Sequence, residues 1–142
     1  MKNNWNNREF VLEAVKKQPR NLQYASKELK TDKEIVLAAI EAGGCYIYDM
    51  ISIASDENRL DRDIVTAIAE NMGGAKALAY ADRELCGDKE IVLIAVKAGG
   101  ILNGYGTDWK SYVPLYFVSE KLCGDKEVVL EAVKQRGTSL KY

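Results

Sequence analysis

Histidine is absent from this 142-residue sequence. Without an imidazole, the chain lacks the commonest general base, the serine–histidine triad and most kinds of catalytic zinc site. Its three cysteines, Cys45, Cys86 and Cys123, are odd in number and not in CxxC spacing, which argues against a disulfide framework and against a thiolate zinc site. The sequence therefore predicts no catalytic residue, no metal and no cofactor, and favours a protein that is not an enzyme.

Long apolar runs and an excess of charge of either sign are also missing. No stretch reaches the roughly eighteen apolar residues of a membrane span, and the opening residues MKNNWNNREFVL lack the apolar core of a signal peptide. Twenty basic and twenty-one acidic side chains leave a net charge of −1, so no global field attracts nucleic acid or an anionic membrane. We expect a cytoplasmic protein that binds neither nucleic acid nor membrane.

What the sequence does contain is a repeat. Five segments align without gaps: REFVLEAV (8–15), KEIVLAAI (33–40), RDIVTAIA (62–69), KEIVLIAV (89–96) and KEVVLEAV (126–133). Their central valines are 25, 29, 27 and 37 residues apart, a period of about 27 with one insertion. A second pattern lies between them, at LQYASKEL (22–29), ISIASDEN (51–58), LAYADREL (78–85) and LYFVSEKL (115–122). Each repeat thus has two elements, called A for the second pattern and B for the first.

Both elements have the apolar spacing of short helices. In one copy of B, Ile35, Val36, Ala39 and Ile40 fall at i, i+1, i+4 and i+5, which is one stripe of a helix, whereas a strand would alternate. Glycine and proline gather between the elements, where turns are expected. The composition, 47% hydrophobic and 29% charged, is that of one globular domain. We predict an all-α fold over 1–142, a single domain of about four and a half tandem two-helix repeats stacked into a compact curved bundle or short solenoid.

The strings TDKE and GDKE, which open three of the B elements, predict helix starts. Thr31 with Glu34 has the spacing of a capping box, and Asn6, Gly87 and Gly124 hold the same cap position in other copies. Acidic residues in a first turn also stabilise the positive end of the helix dipole. We therefore interpret these acids as structural and not as ligands.

The acid-rich segment SDENRLDRD (55–63) resembles a cation-binding loop only in part. It lacks the central glycine and the distal glutamate that a calcium loop needs. Asp61 and Asp63 match Asp32 and Glu34 of the neighbouring repeat. The segment therefore predicts another helix start and no metal site.

One segment breaks the repeat. Between the last two B elements the connection grows by about ten residues into AGGILNGYGTDWKSYVP (98–114), and long loops on a helical scaffold often carry recognition residues. We name Tyr105, Asp108, Trp109 and Tyr112 as candidate partner-binding residues. The alternative is a tolerated insertion in which Trp109 packs back onto the domain.

The co-occurrence of both elements in register resembles a known repeat family. Units of the form L-x-Y-A-S-x-E-L followed by D-K-E-[IV]-V-L-x-A-V are similar to those of the domain of unknown function 4116, and the resemblance runs over residues 7–97 and 115–142. It departs at 51–60, where the tyrosine and the final leucine are lost, and at the 98–114 insertion. The resemblance implies all-helical tandem repeats with no assigned activity, so it transfers no catalytic residue.

Two classes of function remain open. The first is a non-catalytic protein- or peptide-binding scaffold, because stacked helix pairs offer an extended surface for recognition. The second is a small-ligand-binding protein or enzyme that uses the 98–114 loop. We favour the first, with a protein or peptide as the partner.

Two expectations concern packing. Ile94 lies where the outer copies of B carry Glu13 and Glu131, so we expect Ile94 in the core.

Leu140 and Tyr142 occupy the positions of the leucine and tyrosine of a further A element, so the chain ends inside a repeat. We expect Val129 and Val133 to be partly exposed, residues 138–142 to fold back as a cap, and the C-terminal repeat to be available for self-association.

Overall fold

The computed structural model describes residues 4–43, 56–99 and 117–135, and every regular element in these ranges is helical. The all-α class is thereby confirmed for the described part of the chain. The α-helices are α1 (Arg8–Lys17), α2 (Lys27–Thr31), α3 (Lys33–Glu41), α4 (Arg62–Met72), α5 (Gly74–Tyr80), α6 (Lys89–Ala98), α7 (Glu120–Cys123) and α8 (Lys126–Gln135). Short 3₁₀ helices cover Pro19–Tyr24, Asp56–Leu60 and Leu85–Gly87.

The chain divides into two compact units, residues 1–67 and residues 68–142. In the first unit α1 packs against α3, and the 3₁₀ helix Pro19–Tyr24 packs against both. In the second unit α6 packs against α5 and α8, and the 3₁₀ helix Leu85–Gly87 also contacts α6. That residues 1–142 form a single domain stays a prediction.

The apolar stripe of the B elements forms the centre of each unit. In α3 the buried residues are Ile35, Val36, Ala39 and Ile40, and in α6 they are Ile91, Val92, Ala95 and Val96. These are the positions that the i, i+1, i+4, i+5 spacing predicts. Full burial of one large aliphatic side chain stabilises a fold by about 1.5–3 kcal/mol, so this stripe accounts for much of the packing energy of each unit.

Ile94 is less buried than the sequence predicts. It is only partly buried, so the prediction that it lies in the core is wrong. Successive residues of an α-helix are rotated by about 100°, which places Ile94 at the edge of the stripe centred on Val92 and Ala95. By contrast, Val129 and Val133 of α8 are partly exposed, as expected.

The caps of the B helices lie one residue later than the sequence suggested. Asp32 Oδ1 accepts hydrogen bonds from the backbone N–H groups of Glu34 (3.1 Å) and Ile35 (3.2 Å). The equivalent residues Asn7, Asp61, Asp88 and Asp125 also accept bonds from the first turn of their helices. Thr31 is therefore not the cap, because a carboxylate oxygen satisfies two backbone donors and complements the helix dipole.

Among the helices of the described ranges, none has the length and apolar character needed to cross a membrane. The cellular compartment stays a prediction.

Candidate interaction site on the first unit

A groove of about 470 Å³ runs between α1 and α3 in the first unit. Its apolar floor consists of Leu12, Leu37 and Ala38, all of which are partly exposed. Charged side chains line the rim, namely Lys16, Lys33, Glu34 and Glu41. The groove therefore combines apolar contact area with both signs of charge.

The repeat itself explains why leucines line this groove. Leu12 and Leu37 each directly follow a buried valine, Val11 and Val36. A residue one position beyond the buried stripe lies at the boundary between core and solvent, because consecutive helix positions differ by about 100°. The two leucines accordingly line the groove and are not part of the core beneath it.

The groove lies beside an ion pair that joins its two helices. Arg8 Nε, at the start of α1, donates to Asp32 Oδ2 at 2.7 Å, and the same guanidinium pairs with Glu34. The hydrogen bond from Arg8 holds the pKa of the Asp32 carboxyl below its usual range, aided by the backbone N–H groups of Ile35 and Glu34. The Asp32 carboxylate therefore stays ionised, and it both caps α3 and binds Arg8 of α1.

Lys33 makes the equivalent contact to α4 within the first unit. Its Nζ lies 2.9 Å from Asp61 Oδ2 and 2.5 Å from Asp63 Oδ2. These two carboxylates raise the pKa of Lys33. Partial burial raises the pKa of Asp61, but the bonds from Lys33 and from the N–H groups of Ile64 and Asp63 outweigh it, so the net shift is downward. Two of the acids in the segment that resembled part of a cation loop, Asp61 and Asp63, thus bind a lysine.

The second unit contains the same contact between α6 and α8. Lys89 Nζ lies 2.9 Å from Asp125 Oδ2 and 3.0 Å from Glu127 Oε2. We use the term cation bridge for this arrangement, in which the first residue of one helix contacts the N-cap aspartate and the second residue of another. Arg8, Lys33 and Lys89 each form a cation bridge, which sequence reasoning missed although a lysine or arginine opens every copy of B.

The cysteines of the second unit, Cys86 and Cys123, lie in surroundings that do not activate a thiol. Cys86 is buried, and its Sγ–H donates to the carbonyl of Leu78 at 3.4 Å. Burial, together with the charge of Glu120, raises the pKa of the Cys123 thiol. A raised pKa reduces the thiolate fraction, which is the nucleophilic form. Neither environment is that of an activated cysteine.

The partner-binding residues predicted from the sequence, Tyr105, Asp108, Trp109 and Tyr112, lie outside the described residues, as do Cys45 and residues 138–142. Their roles stay predictions. Within the described ranges, no group of three cysteine or acidic side chains is placed to hold a metal ion.

These features define a protein that is all-helical over the described residues, in which aspartates cap the B helices and bind cations of neighbouring helices, and whose first unit carries an amphipathic groove. The chain belongs to the family described as Domain of unknown function (DUF4116), whose model matches residues 7–59 and 110–142. The family predicted from the motifs is thus confirmed, although residues 60–97 lie outside the matched ranges, and the tandem helical-repeat arrangement stays a prediction. Neither a curated protein nor a solved structure shows significant similarity to the chain.

Proposed function

We propose that the protein is a non-catalytic module that binds a protein or peptide segment in the groove between α1 and α3. The observation that carries the proposal is the pair Leu12 and Leu37, which expose apolar surface between charged rim residues. Interfaces are built in this way, with an apolar centre surrounded by a polar rim.

The proposal includes the architecture that would present such grooves. Two-helix repeats of about 27 residues, stacked as a compact curved bundle or short solenoid, would place successive B helices side by side. The recurrence of the cation bridge between α1 and α3 and between α6 and α8 supports this reading. So does the burial of the same stripe in both units.

The groove suggests the chemistry of its occupant. Leu12, Leu37 and Ala38 suit one or two aliphatic or aromatic anchors of a short amphipathic segment. Lys16 and Glu41, which both line the groove, suit charged residues of both signs next to those anchors. The partner would therefore be an amphipathic peptide, such as a helix with one apolar face.

The surroundings of the cap carboxylates in the described part of the chain favour binding over catalysis. General acid–base catalysis needs a carboxyl group within reach of a substrate and with a pKa tuned toward neutral pH. Asp32 and Asp61 instead have lowered pKa values and are occupied by a helix cap and a cation bridge. The enzyme or small-ligand alternative depends on the 98–114 loop, of which residues 100–114 lie outside the described ranges.

Selection from a displayed random-peptide library against the purified full chain tests the proposal. We expect enriched peptides to share an apolar anchor, and the Leu37→Asp variant to bind them at least about tenfold more weakly, a loss of about 1.4 kcal/mol. The matched control is Leu60→Asp, since Leu60 is 50% exposed and does not line the groove. Circular dichroism confirms that both variants fold.

Equal binding of the selected peptides to the wild-type chain and to Leu37→Asp would contradict the groove as the site. A small-molecule screen by thermal shift addresses the alternative. A metabolite that stabilises the wild-type chain but not a Trp109→Ala variant would favour a ligand site in the 98–114 loop over the peptide groove.

A further inference from the structure

Neighbouring B helices of one unit meet through a fixed set of positions. From α1, the first, fifth and ninth residues (Arg8, Leu12, Lys16) reach α3 or line the groove. From α3, the second and sixth residues (Glu34, Ala38) face them. We call the first set the donor face of a helix and the second set its acceptor face.

The contact between α6 and α8 follows the same rule. Lys89, the first residue of α6, bridges to Asp125 and to Glu127, the second residue of α8. Glu131, the sixth residue of α8, has a side chain only 19% exposed. The acceptor face of α8 is thus covered at Glu131, while Glu127, which binds Lys89, keeps 64% of its side chain exposed.

The donor face of α8 is exposed. It consists of Lys126, Leu130 and Lys134, all of which are solvent-exposed, and Leu130 is 52% exposed. At the same fifth position, Leu12, Leu37 and Leu93 are only partly exposed. An exposed leucine between two lysines, one turn away on either side, is an apolar contact point with a positively charged border.

The acceptor face of α1 is also exposed, and its charge is opposite. Glu9 and Glu13 occupy the second and sixth positions, and both are solvent-exposed. The side chain of Glu13 is 66% exposed, against 19% for Glu131 at the equivalent position. Asn7, the cap of α1, adds an amide oxygen where α3 has the carboxylate of Asp32.

We propose that a second copy of the chain docks on these faces, with the donor face of α8 in one copy against the acceptor face of α1 in the next. Lys126 pairs with Glu9 and approaches the Asn7 amide, while Leu130 and Lys134 lie along Glu13. The contact resembles a cation bridge between two molecules, with Asn7 in place of the cap aspartate, and it uses none of the side chains that line the groove proposed to bind peptides.

The proposed interface joins two different surfaces, so it is heterologous and produces a chain of copies or a closed ring. It is also weaker than the bridges within a unit. Asn7 supplies a neutral amide in place of an aspartate, and Lys134 and Glu13 already have intrahelical partners, Glu131 at 3.2 Å and Lys16 at 3.7 Å. The association is therefore expected to be reversible and to weaken with added salt, since exposed charges are screened.

Analytical ultracentrifugation of the full chain over a concentration series, at low and high salt, tests the proposal. We expect a concentration-dependent mass that falls at high salt. Lys126→Glu and Glu9→Lys should each weaken association at least about tenfold, because each places like charges together at the centre of the contact. Leu130→Glu should do the same. Lys27→Glu is the matched control, since Lys27 is exposed and lies on α2, outside both faces.

The decisive measurement is a mixture of the Lys126→Glu and Glu9→Lys variants in equal amounts. In that mixture, the reversed α8 face of one variant matches the reversed α1 face of the other, so association should return to the wild-type level. Circular dichroism establishes that every variant is folded. A wild-type chain that stays monomeric at all concentrations, or self-association that is unchanged in Lys126→Glu and Leu130→Glu, would overturn the proposal.

Discussion

Gly74, the first residue of α5, lies directly against the backbone of Ala95 in α6. A Cβ built on Gly74 would come within 2.7 Å of the Ala95 Cα and closer still to its carbonyl group. The Gly74 N–H also donates to the carbonyl of Gly99 at 2.6 Å. The helices α5 and α6 of the second unit therefore touch backbone to backbone at this point, which only glycine permits.

The Gly74→Ala substitution should destabilise the protein, because the added methyl group overlaps rigid backbone that cannot move away as a side chain could. Overpacking of this kind costs about 1–3 kcal/mol, and occasionally more. Urea unfolding followed by circular dichroism measures the change in the free energy of unfolding. Gly124→Ala is the matched control, because a Cβ there meets nothing within 4 Å and the φ of −94° suits alanine. A similar cost at both positions would show that the close approach is not the cause.

Replacement of Asn7 by alanine should cost about 1 kcal/mol, since the Asn7 side chain accepts a hydrogen bond from the N–H of Phe10 at the start of α1. Asn6→Ala should be nearly neutral, although sequence spacing had placed the cap at Asn6. Thermal or urea unfolding of the two single variants makes the comparison directly. A larger loss for Asn6→Ala would restore the cap that the sequence suggested.

Asn58 is buried, with 4% of its surface exposed, and its Nδ2 donates to the carbonyl of Lys30 at 3.1 Å. Asn58→Leu should reduce the free energy of unfolding by about 1–3 kcal/mol, because the Lys30 carbonyl loses this donor while the site keeps its bulk. Gln23→Leu provides a control at an exposed position. An unchanged unfolding midpoint for Asn58→Leu would mean that this hydrogen bond contributes no net stability.

The stability of the fold should fall in acid. The pKa values of Asp32, Asp61 and Asp125 are lowered in the folded protein. The unfolded chain therefore binds more protons than the folded chain as the pH drops below the usual aspartate value of about 3.9. The stabilisation is present above that value and is lost as the pH falls through the folded pKa values.

Urea unfolding between neutral pH and strongly acidic pH measures this dependence. Asp32→Asn keeps an oxygen acceptor at the cap but removes the titrating group, so its stability should depend less steeply on pH in the acid range than that of the wild-type chain. An identical pH profile for the two proteins would contradict the assigned role of the Asp32 carboxylate.

At high pH, the loss of stability should come from the lysines of the cation bridges. Asp63 and Asp61 raise the pKa of Lys33, and Asp125 and Glu127 raise that of Lys89. The contribution of these two lysines to stability is complete below the ordinary lysine pKa near 10.4. It is lost as the pH rises through their higher pKa values in the folded protein. A double Lys33→Met, Lys89→Met variant should lose less stability than the wild-type chain when the pH is raised through that range.

Local features of the fold could be predicted from the sequence because they depend on residues a few positions apart. The stripe of Ile35, Val36, Ala39 and Ile40 is buried as its spacing predicts, and the D-K-E strings do begin helices. The error of one residue at the cap arose because a capping box and an aspartate cap share the same string, and only backbone geometry shows which oxygen accepts the bonds.

The sequence by itself determined that this protein is helical, where the B helices begin to within one residue, and which of their faces is apolar, since each of these follows from contacts within one turn. Only the tertiary structure decided that Arg8 bridges to Asp32, that Asn58 is buried against the Lys30 carbonyl, and that Gly74 meets Ala95. Those partners are 24, 28 and 21 residues apart in the chain. Spacing within one helix indicates which side of it faces inward, but which residue lies opposite depends on how separate helices pack.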